Sequence, residues 1–210
     1  MDTISHAPDE PILTEAMLAG HPMAQFAAWM AEAAALPVPE PTAMVLATVS
    51  ASGRPRARTV LLKSHDPGGF TFYTNRTSRK GTDLAEVPRA SLVFPWYPMH
   101  RQVIVEGTVS ALSTEQSEPY FHSRPRGSQL GAWASRQSSV IGSRAELDDR
   151  YAELERRWPD GTDVPMPDFW GGYRVVPDVV EFWQGRVNRM HDRFRYRRND
   201  DGWLIERLAP

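Results

Sequence analysis

The sequence predicts a mainly β domain of the α+β class, an antiparallel barrel or strongly coiled sheet with helices packed on it. Three observations carry that expectation. Five strand-length runs fill residues 43–111, separated by Ser52-Gly53, Pro67-Gly68-Gly69, Pro88 and Pro98, which is turn chemistry. Two capping boxes follow, Ser113 with Gln116 and Ser143 with Glu146, each the opening of a helix. Four more strand-like runs then complete the chain, and so many short strands at this spacing suit a closed or coiled sheet.

Residues 1–20 have weak periodicity and read as a mobile N-terminal arm, leaving 21–210 as a single domain. Pro22 stands where a helix can start, and Met23, Phe26, Ala27, Met30 and Ala33 recur at helical spacing until Pro37 and Pro39 stop the run. Strands are expected over 43–49, 56–63, 70–74, 90–94 and 102–111, with a short helix over 77–86. The first capping box opens a helix through Phe121. The second opens one to about Trp158, with Leu147, Tyr151 and Leu154 on its buried stripe and Pro159-Asp160-Gly161 at its end. Strands over 173–176, 180–183, 193–197 and 203–208 follow, the last pair joined through Asn199-Asp200-Asp201-Gly202.

Composition narrows the function classes. A chain of 210 residues can bury a core without staples, and with no cysteine it has neither disulfides nor thiolate metal sites. The polar, acidic first ten residues do not resemble a signal peptide, and no run approaches the roughly 20 apolar residues that span a bilayer. The expectation is a cytoplasmic protein that engages no membrane. A formal net charge of -2 argues against a nucleic-acid binder, which carries a basic excess.

Within that near-neutral chain, positive charge is concentrated. Arg58 to Lys63 and Ser78-Arg79-Lys80 bracket the strand-like run Phe70-Thr71-Phe72-Tyr73-Thr74. Cations that repel one another and lose rotamer freedom on ordering point to a small multivalent anion such as a phosphate ester, although a solvated basic strand face would show the same pattern. GxxxxGK[ST], GxGxxG and GxSxG are all absent, and the six histidines never pair at i and i+4, so Walker, Rossmann, hydrolase and zinc readings lack their signatures. Polar residues interrupt apolar strands at Gln102 and follow a small-residue helix at Gln137-Ser138. Arg189, His191 and Arg193 alternate, so an extended segment would put them on one face. Two arginines flanking a histidine suit an anionic planar ligand with a titratable neighbour, against the plainer reading of a surface histidine.

Twelve runs together resemble the pyridoxine (pyridoxamine) 5′-phosphate oxidase family of FMN-binding split β-barrels, over roughly residues 41–210. They are Arg58-Thr-Val-Leu-Leu-Lys63, Phe72-Tyr-Thr-Asn75, Ser78-Arg-Lys80, Phe94-Pro-Trp96, Arg101-Gln102, Tyr120-Phe-His-Ser-Arg-Pro-Arg126, Ser128-Gln-Leu-Gly-Ala-Trp133, Gln137-Ser-Ser139, Phe169-Trp-Gly-Gly172, Glu181-Phe-Trp-Gln-Gly185, Arg189-Met-His-Asp-Arg-Phe194 and Arg207-Leu-Ala-Pro210.

The resemblance implies that FMN is held by Arg58, Thr59, Val60, Leu61, Leu62, Lys63, Tyr73, Thr74, Arg79, Lys80, Gln102, Gln137, Ser138, Trp183 and Arg193. It implies a substrate phosphate on Lys63, Tyr120, Arg124 and Ser128, with Arg189 and His191 over the pyridine ring as the catalytic pair. The implied reaction takes a hydride from the 4′ carbon of pyridoxine 5′-phosphate or pyridoxamine 5′-phosphate to the flavin. Dioxygen reoxidises the flavin, and the products are pyridoxal 5′-phosphate and hydrogen peroxide, with ammonia from the amine. The family's homodimer, with FMN between subunits, also answers a conflict of parity: Arg58 and Lys63 would face opposite sides of one regular strand. Tyr120, Arg124 and Ser128 would share a helical face if the helix continued through Pro125. One feature departs from the family, whose members often carry an N-terminal Arg-x-x-Tyr lid. Residues 1–20 here contain neither Arg nor Tyr. Two other readings remain compatible with these residues, an FMN oxidase acting on a different aromatic substrate such as a phenazine precursor, and a flavin-binding split barrel without oxidase activity.

Overall fold

The computed structural model describes residues 12–210. Helix α1 (Pro22–Ala35) begins with proline in its first turn and with the His21 ring accepting from the Met23 amide. Strands β1 (Ala43–Val49), β2 (Pro55–Leu61), β3 (Ser64–Asp66) and β4 (Gly69–Asn75) follow, then α2 (Arg79–Glu86), β5 (Arg89–Trp96) and β6 (Arg101–Ala111). Helices α3 (Thr114–Ser123), α4 (Arg126–Ala134) and α5 (Arg144–Arg157) come next, and β7 (Trp170–Gln184), β8 (Asp192–Asn199) and β9 (Gly202–Arg207) close the fold.

The nine strands of the described residues form one curled antiparallel sheet in the order β2-β1-β5-β6-β7-β4-β3, with β8 on β7 and β9 on β8. β7 organises it. One edge pairs with β6 along nearly its whole length, while the other edge takes β4 over Trp170 to Val175 and β8 over Val179 to Gln184. The sequence reads this segment as two strands because Pro177-Asp178 looks like a stop. The chain instead bulges there, with a register shift between Glu106 and Gly107 on β6. Gly107 permits the approach: a Cβ on it would lie 2.2 Å from the Val176 carbonyl oxygen.

The main core lies inside the curl and is plugged by α1. Phe26 is fully buried, with ring centroids 4.8 Å from both Phe70 and Phe94. A smaller core of Phe121, Leu130, Val164 and Trp170 sits beneath α3, α4 and α5. Tyr151 and Leu154 pack on it as expected, yet α5 buries no residue completely.

The expected arm falls partly outside the described residues. From Ile12 onward the segment is docked rather than loose: Leu13 is buried, its amide donates to Asp192 Oδ2 at 3.1 Å, and the Ala19 carbonyl accepts from the Tyr196 hydroxyl at 2.7 Å. Its partners lie more than 170 residues away, so local periodicity carries no trace of them. Among the described residues, no helix is long and apolar enough to cross a membrane.

Candidate active site

A cavity of about 1250 Å³ opens between β2, β4, the start of α2, and the α3–α4 pair. Of the residues the sequence singles out, Arg58, Thr59, Val60, Leu61, Lys63, Tyr73, Thr74, Arg79, Lys80, Tyr120, Arg124, Ser128, Gln137 and Ser138 line it. Leu62 does not, since its side chain is buried in the main core and leaves only its backbone for a ligand.

The parity conflict between Arg58 and Lys63 resolves within one chain. β2 ends at Leu61, and the Lys63 amide already donates to Thr71 on β4. The alternation is broken between the two cations and both face one cavity, so that conflict no longer argues for two subunits. Tyr120, Arg124 and Ser128 would share a helical face only if the helix ran through Pro125, and it does not. Pro125 divides the segment, with Arg124 ending α3 and Pro125 preceding α4, yet the bend brings all three to the cavity. The Arg124 guanidinium donates to the Ser128 carbonyl at 2.8 Å.

The cavity has two chemically distinct ends. At one, Ser78 caps α2, and the buried Lys80 ammonium donates to Gln137 Oε1 at 2.8 Å, Thr74 Oγ1 at 3.1 Å and Ser78 Oγ at 3.2 Å. Its acceptors are all neutral. Burial, then the nearby Arg58 charge, pull its pKa down to about 8. Arg58 is likewise lowered by burial, with Asp83 acting the other way. At the other end, Tyr73, Tyr120 and Trp170 stack: the two tyrosine rings are 4.1 Å apart and Tyr73 is 5.5 Å from Trp170. Arg124 lies 4.8 Å over Trp170, and its Nη1 is buried with no hydrogen-bond partner among the described residues. Burial raises the Tyr73 phenol and lowers the Arg124 guanidinium.

The remaining predicted residues, Gln102, Trp183, Arg189, His191 and Arg193, do not line this cavity. Three form a row across the sheet, Gln102 on β6 opposite Trp183 on β7 opposite Arg193 on β8. Arg193 is gripped by Glu181 through Nε at 2.8 Å and Nη2 at 3.1 Å, and its Nη1 donates to the Ala209 carbonyl. His191 packs 4.7 Å from Trp183, its Nδ1 accepting from the Arg186 amide. The extended segment that would put Arg189, His191 and Arg193 on one face does not reach Arg189. That residue ends a short 3-10 turn with Asn188 and Arg189 both at positive φ, and β8 starts only at Asp192. Sequence reasoning missed Arg56 and Trp170 on the cavity wall. Arg56 had a signal, two positions before Arg58 on the same strand face.

A buried lysine held only by neutral acceptors, beside Arg58 and Arg79, at one end and stacked aromatics along the wall suit a phosphorylated aromatic ligand. A curled antiparallel sheet with such a cavity defines a protein of the class that binds phosphorylated aromatic ligands. Residues 30–157 match the family described as pyridoxamine 5′-phosphate oxidase, and residues 170–210 match the pyridoxine 5′-phosphate oxidase C-terminal dimerisation region. The chain is 62% identical to a pyridoxine/pyridoxamine 5′-phosphate oxidase of Frankia alni, over 89% of this chain and 79% of the relative. It is 56% identical to one of Salinispora arenicola, over 94% and 90%. Among solved structures, PhzG from Burkholderia lata in complex with tetrahydrophenazine-1-carboxylic acid superposes with a TM-score of 0.89 at 31% identity, covering 95% of this chain and 98% of that one. The chain belongs to the pyridoxine/pyridoxamine 5′-phosphate oxidase family.

Proposed function

We propose that this enzyme oxidises pyridoxine 5′-phosphate and pyridoxamine 5′-phosphate to pyridoxal 5′-phosphate, with FMN as cofactor and dioxygen as acceptor. The observation that carries the proposal is a single cavity with two separate cationic ends: Arg58, Arg79 and Lys80 at one, and Lys63 with Arg124 beside the aromatic stack at the other. Two phosphorylated ligands, cofactor and substrate, fit that division.

The donor set suits FMN. Lys80 is a buried ammonium without an anion, and Arg58, Arg79 and Lys80 would hold the phosphate, with Gln137 and Ser138 supplying polar contacts. When bound, FMN would take the hydride from the 4′ carbon and pass the electrons on to dioxygen. At the other end, Arg124 Nη1 has no acceptor among the described residues, and Lys63 Nζ lies 6.0 Å from the centre of the Tyr120 ring. Arg124 and Lys63 would fix the substrate phosphate with Tyr120 and Ser128, orienting the 4′ carbon for transfer.

Arg189 and His191 lie away from this cavity, as do Gln102, Trp183 and Arg193, so a second copy of the chain would supply them. The match of residues 170–210, which include Trp183, Arg189, His191 and Arg193, to a dimerisation region supports that arrangement. The Arg186 amide donates to His191 Nδ1 and so orients the ring, and His191 would hydrogen-bond the substrate's 4′ group.

Measuring hydrogen peroxide and pyridoxal 5′-phosphate from both substrates tests the function. Equal amounts of the two products are expected, and a yellow protein inert to both substrates would overturn it. The relatives at 56–62% identity carry the B6 oxidase name, which favours this reading over oxidation of a phenazine precursor.

A further inference from the structure

We infer that Asp83, which lines no part of the main cavity, is the positioning residue that aims Arg58 at the cofactor phosphate. The inference rests on the reading of Arg58 as an FMN contact. Asp83 lies on α2 with its side chain only 2% exposed, against the face of β1 and β2 that carries Thr48, Arg56 and Arg58. Its Oδ2 accepts from the Thr48 hydroxyl at 2.7 Å, and the same carboxylate is paired with Arg56.

Thr48 carries the effect onward. A hydroxyl has one proton, and Thr48 commits it to Asp83, so its lone pairs are left to accept from Arg58 Nη1 at 2.8 Å. The same Nη1 donates to the Leu46 carbonyl at 3.0 Å, and Nη2 stands 3.9 Å from Asp83 Oδ2. One edge of the guanidinium is therefore fixed by β1. Within the described residues Nε makes no hydrogen bond and Nη2 has only the long pairing with Asp83, so both can donate to an anion.

Charge and orientation make opposite predictions here. If Asp83 acted only through its charge, Asp83→Asn would remove a negative group near the phosphate end, and FMN would bind more tightly. If it acts by orientation, the Asn amide can donate to Thr48, the hydroxyl is free to turn its proton toward Arg58, and FMN binds more weakly.

FMN and riboflavin would be titrated by flavin fluorescence into flavin-depleted wild type, Asp83→Asn, Thr48→Val, Arg58→Met and the Arg58→Met/Asp83→Asn double variant. Asp83→Asn and Thr48→Val should each weaken FMN about tenfold, a charge-assisted hydrogen bond's worth, and leave riboflavin, which lacks the phosphate, unchanged. The double variant should be no weaker than Arg58→Met alone. Tighter or unchanged FMN binding in Asp83→Asn would overturn the inference, as would an equal loss of riboflavin. If Asp83→Asn does not fold, Thr48→Val decides by the same criteria. Should Arg58→Met itself bind FMN like wild type, the reading of Arg58 as an FMN contact fails, and the role of Asp83 with it. A loss in Arg58→Met with none in Asp83→Asn or Thr48→Val overturns the Asp83 role alone.

Discussion

Lys80 is held by three neutral acceptors in a site where burial brings its pKa to about 8. Between that value and its ordinary 10.5, the unfolded chain binds a proton that the flavin-free folded protein does not. Raising the pH through this window therefore relieves a burial cost and stabilises the flavin-free fold, whereas below it both states are protonated and the contribution is constant. FMN affinity should move the other way, weakening as pH rises through about 8 while the ammonium is lost, and Lys80→Arg should flatten that dependence. Flavin titrations on both sides of this pH check it, and a flat wild-type profile would contradict it. The two cationic groups should also separate by mutation. Arg79→Met is expected to weaken FMN retention by roughly ten- to hundredfold, the worth of a charge-assisted bond of about 1.5 to 3 kcal/mol. Arg189→Met should keep its flavin and slow flavin reduction by pyridoxine 5′-phosphate in stopped flow. At this scale the sequence was legible where charge is concentrated, because Arg58, Lys63, Arg79 and Lys80 stand in two short runs. It was silent on Asp83, whose partners Thr48 and Arg56 sit 35 and 27 residues away and meet it only through the fold.

Helix α1 shows how an element far from the cavity sustains it. Phe26 touches His65, Phe70, Phe94 and Trp96 at ring distances from 4.8 to 5.8 Å, locking β3, β4 and β5 around one side chain. Phe26→Ala should cost about 3–5 kcal/mol of stability, read as a lower thermal midpoint, with flavin affinity in the folded protein little changed. An unchanged midpoint would refute that role. α1, β1 and α5 were readable with their caps because proline, serine and apolar spacing are local signals. β7 was not read as one strand, since Pro177 at a bulge resembles Pro at a turn, and only pairing with β6 distinguishes them. The three-residue β3 is too short for any periodicity to mark, although it carries the chain from Lys63 into β4.

Across the whole molecule, the residues proposed for one site fall into two groups that do not line one cavity. The half proposed to hold phosphate is built by β2, β4, α2, α3 and α4, and the group of Trp183, Arg189, His191 and Arg193 lies on β7, β8 and the turn between them. Sequence resemblance named both halves, but only the folded chain separates them. Mixing subunits tests the shared site directly. Lys63→Met, on the cavity, and Arg189→Met, on the other half, are each expected to be nearly inactive alone. Coexpressed, they form heterodimers in which one site carries both lesions and the other carries none. Peroxide and pyridoxal 5′-phosphate production should then recover to about a quarter of wild type in a statistical mixture. If mixing restores nothing above either parent, each site is built from one chain, and the shared-site account is wrong.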